Sequence, residues 1–133
     1  MSAVYQSRES ANNAAEKLKV YAQPQRLMIL SRLLDRECIV SEIDQATGIG
    51  QPALSQQLAE LRRAELVQSR RSAKQVYYRL ANDDVSICVR SIEAIFGSGH
   101  DVVAAVSAVG AEKPKRRQKE LGSAGAAAFA KII

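Results

Sequence analysis

The sequence predicts a mainly α-helical domain with a small β-hairpin. Three observations carry that prediction. Apolar residues recur at helical spacing up to Leu66, and after it the period changes to two. A Gly48-Ile49-Gly50 turn separates two short helical stretches just before the change. A length of 133 residues with 47% hydrophobic residues suits one domain with a modest core, with or without a tail. Helix, turn, helix and hairpin in that order make a winged helix-turn-helix.

The first helix is expected over 9–22, with Ala11, Ala14, Ala15, Leu18 and Tyr21 on one side and Ser10 as its cap. Gln23-Pro24 interrupts it, because the residue before proline is pushed out of the helical region. Pro24 then suits the first turn of a second helix over 24–36, with Leu27, Ile29, Leu30 and Leu34 inward. Ser41 followed by Asp44 resembles a capping pair opening a short helix that ends at Thr47. The next helix is expected over 51–63, with Pro52 in its first turn and Leu54, Leu58 and Leu61 on one face. Leu66–Arg71 and Gln75–Leu80 read as two strands joined by Ser72-Ala73-Lys74. A final helix over 82–96 carries Val85, Cys88, Val89, Ile92, Ile95 and Phe96 as a broad apolar stripe, and Gly97-Ser98-Gly99 ends it.

Residues 1–99 are therefore expected to form one domain, and 100–133 a C-terminal extension. Residues 101–111 could add a weak helix. Residues 112–133 are expected to be a mobile tail, with five basic residues between Lys113 and Lys119. That basic run would either add phosphate contacts or merely keep the tail soluble.

Composition excludes several classes. No run of 18 apolar residues exists to span a membrane. The polar opening stretch argues against a secretion signal, so a cytoplasmic setting is expected. Two cysteines are too few for a disulfide framework, and one histidine leaves little room for Ser-His or Cys-His catalysis. No catalytic centre, metal site or cofactor is expected.

The net charge of +5 is unevenly placed. Between Arg62 and Arg79 six basic residues face one acid, Glu65, which points to a polyanion. The helix from Gln51 would fit a major groove about 12 Å wide, and Gln51, Ser55 and Gln56 at its start could pair with base edges. Arg62 and Arg63 at its end, with Arg70, Arg71 and Lys74 on the wing, suit phosphate or minor-groove contact. The partner expected is double-stranded operator DNA.

Four stretches carry a family resemblance: 25–30 (QRLMIL), 48–58 (GIGQPALSQQL), 61–64 (LRRA) and 75–80 (QVYYRL). Together they resemble the ArsR/SmtB repressors, and within them the branch of biofilm growth-associated and nodulation repressors. The resemblance covers roughly 14–97 and implies a homodimer through the first and last helices. Leu18, Val85, Val89, Ile92 and Phe96 are then the interface candidates. Two-fold symmetry would set two reading helices about 34 Å apart on a palindromic site.

The family's ligand positions are altered here. The places of its thiolate metal site fall on Ile39 and Ser41, and those of its last-helix zinc site on Asn82, Asp84, Ile95 and Ser98. The places of its sulfide-sensing cysteine pair fall on Ser31 and Gly97. A displaced pair, Cys38 and Cys88, leaves a redox- or persulfide-responsive repressor as one alternative. A dimeric protein-interaction module that lost DNA binding is another.

Overall fold

A computed structural model describes residues 3–97; the extension at 100–133, with its expected helix and tail, lies outside the described residues. The chain divides after Val89 into two compact units. The first holds nearly all the elements described below. Of the second, the described residues are the closing turns of the last helix and Gly97.

A single 3-10 turn, Val4–Gln6, precedes α1 (Arg8–Tyr21). The cap of α1 is Ser7 and not Ser10. Ser7 is extended (φ −146°, ψ 120°), as a cap must be, and its hydroxyl accepts the Ser10 N–H at 3.2 Å. Gln23 is extended too, and its Oε1 accepts the Arg26 N–H at 2.8 Å, opening α2 (Pro24–Arg32) with Pro24 in the first turn.

Helix α2 stops four residues before the expected 36. Leu34 N–H turns back to the Ser31 carbonyl at 3.2 Å, and the chain then straightens into β1 (Cys38–Ile39), a strand the sequence did not announce. The inward face of α2 is also rotated. Ile29, Leu30 and Leu33 are buried, whereas Leu27 and Leu34 are half-buried.

Helix α3 (Val40–Thr47) opens without Ser41, which is exposed. Its cap comes from Glu42, whose Oε1 accepts the Ile39 N–H at 3.0 Å. Asp44 acts further along the chain, where its Oδ1 accepts the Gly50 N–H at 2.8 Å and braces the turn. Gly48 and Gly50 take φ of 68° and 80°, which a side chain would resist.

Helix α4 (Ala53–Arg63) begins two residues after Gln51 and buries Leu54, Leu58 and Leu61 almost completely. It ends in a Schellman motif: Glu65 N–H donates to the Arg62 carbonyl and Leu66 N–H to the Leu61 carbonyl, both at 3.0 Å. The left-handed residue of that motif is Glu65, at φ 63°, where glycine is usual. Glu65→Gly is expected to raise the unfolding free energy by about 0.5–1 kcal/mol, the relief of that conformation less glycine's added chain entropy. Urea denaturation checks this, and a lowered midpoint would refute it.

Strands β2 (Val67–Ser72) and β3 (Gln75–Leu80) form the expected hairpin around a two-residue turn, Ala73-Lys74, rather than a three-residue one. Strand β1 pairs with β3, so the antiparallel sheet runs β1-β3-β2. Helix α5 (Asp83–Phe96) follows, with Asn82 Oδ1 accepting the Val85 N–H at 3.1 Å and Asp83 and Asp84 near its positive end.

Candidate nucleic-acid interface

The start of α4 is built so that one side is fixed and the other is presented. Pro52, the residue before the helix, has no side-chain acceptor to cap it. Gln51 supplies one. Its Oε1 accepts the Ser55 N–H at 3.1 Å and the Ser55 hydroxyl at 2.7 Å. Gln51, Ser55 and Gln56 are all exposed, on the side of the helix start away from the buried Leu54 and Leu58. The Gln51 amide N–H groups and the Ser55 oxygen lone pairs remain available for base edges. Gln56 makes no side-chain hydrogen bond among the described residues.

The basic candidates separate into groups with different settings. Arg62, Arg71 and Lys74 are exposed. Arg63 pairs with Glu60 on the same helix, both largely in solvent, an arrangement that holds weakly. Arg70 is held much more firmly. Its Nε donates to both carboxylate oxygens of Glu37, at 3.0 and 3.1 Å, and its guanidinium carbon lies 4.6 Å from the centre of the Tyr77 ring.

Strand alternation explains this grouping. Gln68, Arg70 and Ser72 share one face of the hairpin with Arg79, Tyr77 and Gln75, while Arg71 lies on the other face opposite Val76. Arg70 and Arg71 are neighbours in sequence and point apart in space. Glu37 just precedes β1, whose Ile39 is paired with Tyr77, so it falls on the Arg70 side. The Arg70 hydrogen bonds, and then the charges of Arg70 and Arg79, hold the Glu37 carboxyl below its usual range. Sequence reasoning missed Glu37, because only the two-residue β1 brings it to the wing.

Among the interface candidates, Val85 and Val89 are buried within the single chain, at 3% and 1% exposure, so they offer no surface to a partner. Ile92 is half-buried. Leu18 on α1 is 57% exposed, and Phe96 in the last turn of α5 is 79% exposed, next to the half-open Ile95.

Both cysteines are free thiols in different settings. Cys38 is buried on β1 and its Sγ donates to the Arg36 carbonyl at 3.5 Å; burial pushes its pKa up, which suppresses the thiolate. Cys88 is half-buried against the Tyr21 hydroxyl, and burial drives Tyr21 above the ordinary phenol range, with Cys88 and Asp84 adding to the shift.

The bacterial regulatory protein arsR family matches residues 23–69. The biofilm growth-associated repressor of Xylella fastidiosa (strain Temecula1) is 43% identical over 86 residues, 65% of this chain and 75% of that one. This chain belongs to the ArsR family. Among solved structures, the transcriptional repressor BigR from X. fastidiosa superposes with a TM-score of 0.65 at 39% identity, covering 71% of this chain and 97% of that one. A homodimeric winged helix-turn-helix DNA-binding domain from Mycobacterium bovis superposes at 0.59 with 29% identity, covering 71% and 86%.

The chain is thus a winged helix-turn-helix transcriptional regulator, as its sequence implied. Two of the metal-ligand positions implied by the resemblance carry no available side-chain donor. Ile39 has no donor atom, and Asn82 Oδ1 is engaged in capping α5. No helix among the described residues is long and apolar enough to cross a membrane.

Proposed function

We propose that this chain is a homodimeric, cytoplasmic repressor that occupies operator DNA and occludes a promoter, without catalysis or a required cofactor. The observation that carries this reading is the two-sided start of α4. Leu54, Leu58 and Leu61 anchor it, while Gln51, Ser55 and Gln56 stand exposed with unused donors and acceptors. Arg62, Arg63, Arg71 and Lys74 add phosphate contacts, and Leu18, Ile95 and Phe96 supply apolar surface for a second copy. Residues 1–99 carry both DNA binding and dimerisation, and 100–133 is an appended extension.

The test is titration of the purified chain into labelled duplex from its own upstream region, with a scrambled duplex as control, at one stated salt concentration. Preference for the upstream duplex supports the reading. No preference, there or in a random duplex pool, would leave a protein-interaction module. Repeating the titration after mild oxidation addresses Cys38 and Cys88, and the burial of Cys38 predicts little change.

The wing gives a second expected result. Arg71→Gln or Lys74→Gln should each flatten the log–log salt dependence of binding by ~0.9. Replacing Glu37 and Arg70 together by glutamine removes a pair whose charges cancel, and should leave that slope unchanged. Salt titrations on one duplex read both, and a slope flattened by the paired replacement would make Arg70 a phosphate contact after all.

A further inference from the structure

One polar cluster lies behind the reading face and plays no part in the contacts proposed above. Arg26, at the start of α2, donates from Nε to Gln57 Oε1 at 2.8 Å and from Nη1 to the Val20 carbonyl at 3.4 Å. Gln57 in turn donates from Nε2 to Gln25 Oε1 at 3.5 Å. Arg26 and Gln57 are half-buried, whereas Ser55 and Gln56, beside Gln57 on α4, are exposed. Three helices therefore meet through one guanidinium: the last turn of α1, the first turn of α2 and the flank of α4.

We propose that Arg26 is a positioning residue for DNA reading, fixing the roll of α4 about its axis through Gln57. The leucine stripe of α4 cannot do this alone. Apolar contacts are non-directional, so they hold a helix against the core more firmly than they fix its rotation. With side chains a helix has a radius of about 5–6 Å, so a roll of ~10° moves a side-chain tip by about 1 Å. Reading groups have to be held to within about 0.5 Å. A charge-assisted hydrogen bond is directional, and one on the flank opposes roll in a way the leucines cannot. The Val20 contact refers that roll to α1.

This inference rests on the DNA-binding reading, so the wild-type chain is first used to select its preferred duplex from a random pool. Arg26→Met, Gln57→Met and the double variant are then titrated against that duplex and a scrambled one over a salt series, with thermal melting alongside. Arg26→Met is expected to lose on the order of tenfold in preference for the selected duplex, with its salt slope unchanged. Gln57→Met should lose a similar factor, and the double variant no more than either, since both remove the same bond. Gln57→Met, a good helix former on a helix flank, decides the matter if Arg26→Met melts below the assay temperature.

Three results overturn the proposal: an undiminished preference, losses that add in the double variant, or equal loss on both duplexes with a slope flattened by nearly one unit. The last would make Arg26 a phosphate contact. If the wild-type chain selects no duplex, the DNA-binding reading fails and this one fails with it, before any variant is compared.

Discussion

Leu18→Glu combined with Phe96→Glu is expected to convert a dimer into a monomer and to weaken binding to a two-half-site duplex by roughly 10²- to 10⁴-fold, the loss of linked second-site binding. Leu18 and Phe96 are large apolar side chains left 57% and 79% exposed by the chain itself. Covering a side chain of that kind contributes about 1.5–3 kcal/mol. In a two-fold dimer every such contact occurs twice, so a charge placed there is also repeated. Light scattering after size exclusion reads the mass, and titration of full and half operators reads the affinity. Affinity for a half operator should hardly change, since α4 and the wing are untouched. A dimer that persists with both glutamates would place the interface elsewhere. Val85 and Val89 would be poor probes, because replacing them disturbs the chain's own core.

What could be read from the sequence was what repeats locally. The leucine spacing on α4 and the alternation in the hairpin repeat over one or two turns or residue pairs. The spacing on α4 named its buried face, Leu54, Leu58 and Leu61, and the alternation placed the two strands, of which Val67 at the base of the wing is buried. The Gly48–Gly50 turn was legible because glycine is the residue that accepts its φ angles. The structure departs from these patterns where a distant partner decides the local backbone, and at helix starts where a neighbouring side chain takes over the cap. Helix α2 ends early because Cys38 and Ile39 pair with Tyr78 and Tyr77 some forty residues on. Ser41 does not cap α3, because the backbone is already helical there and Glu42 reaches back instead.

The site shows the same division. The exposed polar start of α4 was legible, but its internal bonding was not. The sequence presents Gln51 and Ser55 as separate base-reading candidates, whereas the structure joins them through one oxygen that also closes the helix start. Arg70 and Arg71 form one basic patch in the sequence, and the pleat separates them in the structure. Glu37 to Arg70 and Arg26 to Gln57 are 33 and 31 residues apart, with no pattern in the sequence to connect them. Val85 and Val89 show the converse. A broad apolar stripe marks burial, but the sequence alone does not tell core from interface.

The linkage of Gln51 to Ser55 gives the second large expectation, because it separates reading from capping. Gln56→Ala should weaken binding to the preferred duplex by about 1–3 kcal/mol and leave binding to a scrambled duplex unchanged, since a glutamine side chain pairs with a base edge and carries no charge for phosphate. Gln56 is exposed, and alanine is a good helix former, so the melting temperature should not fall. Gln51→Ala should differ. It removes the acceptor for the Ser55 N–H, so it should lower stability by about 1 kcal/mol as well as affinity, as the loss of a cap does. Ser55→Ala falls between them, because the backbone bond that holds Gln51 survives. Titrations against the preferred duplex and its single-base variants, run with thermal melts, resolve the three. A Gln56→Ala loss equal on every duplex would remove Gln56 from base reading, whereas a loss confined to one base pair would assign Gln56 to that pair.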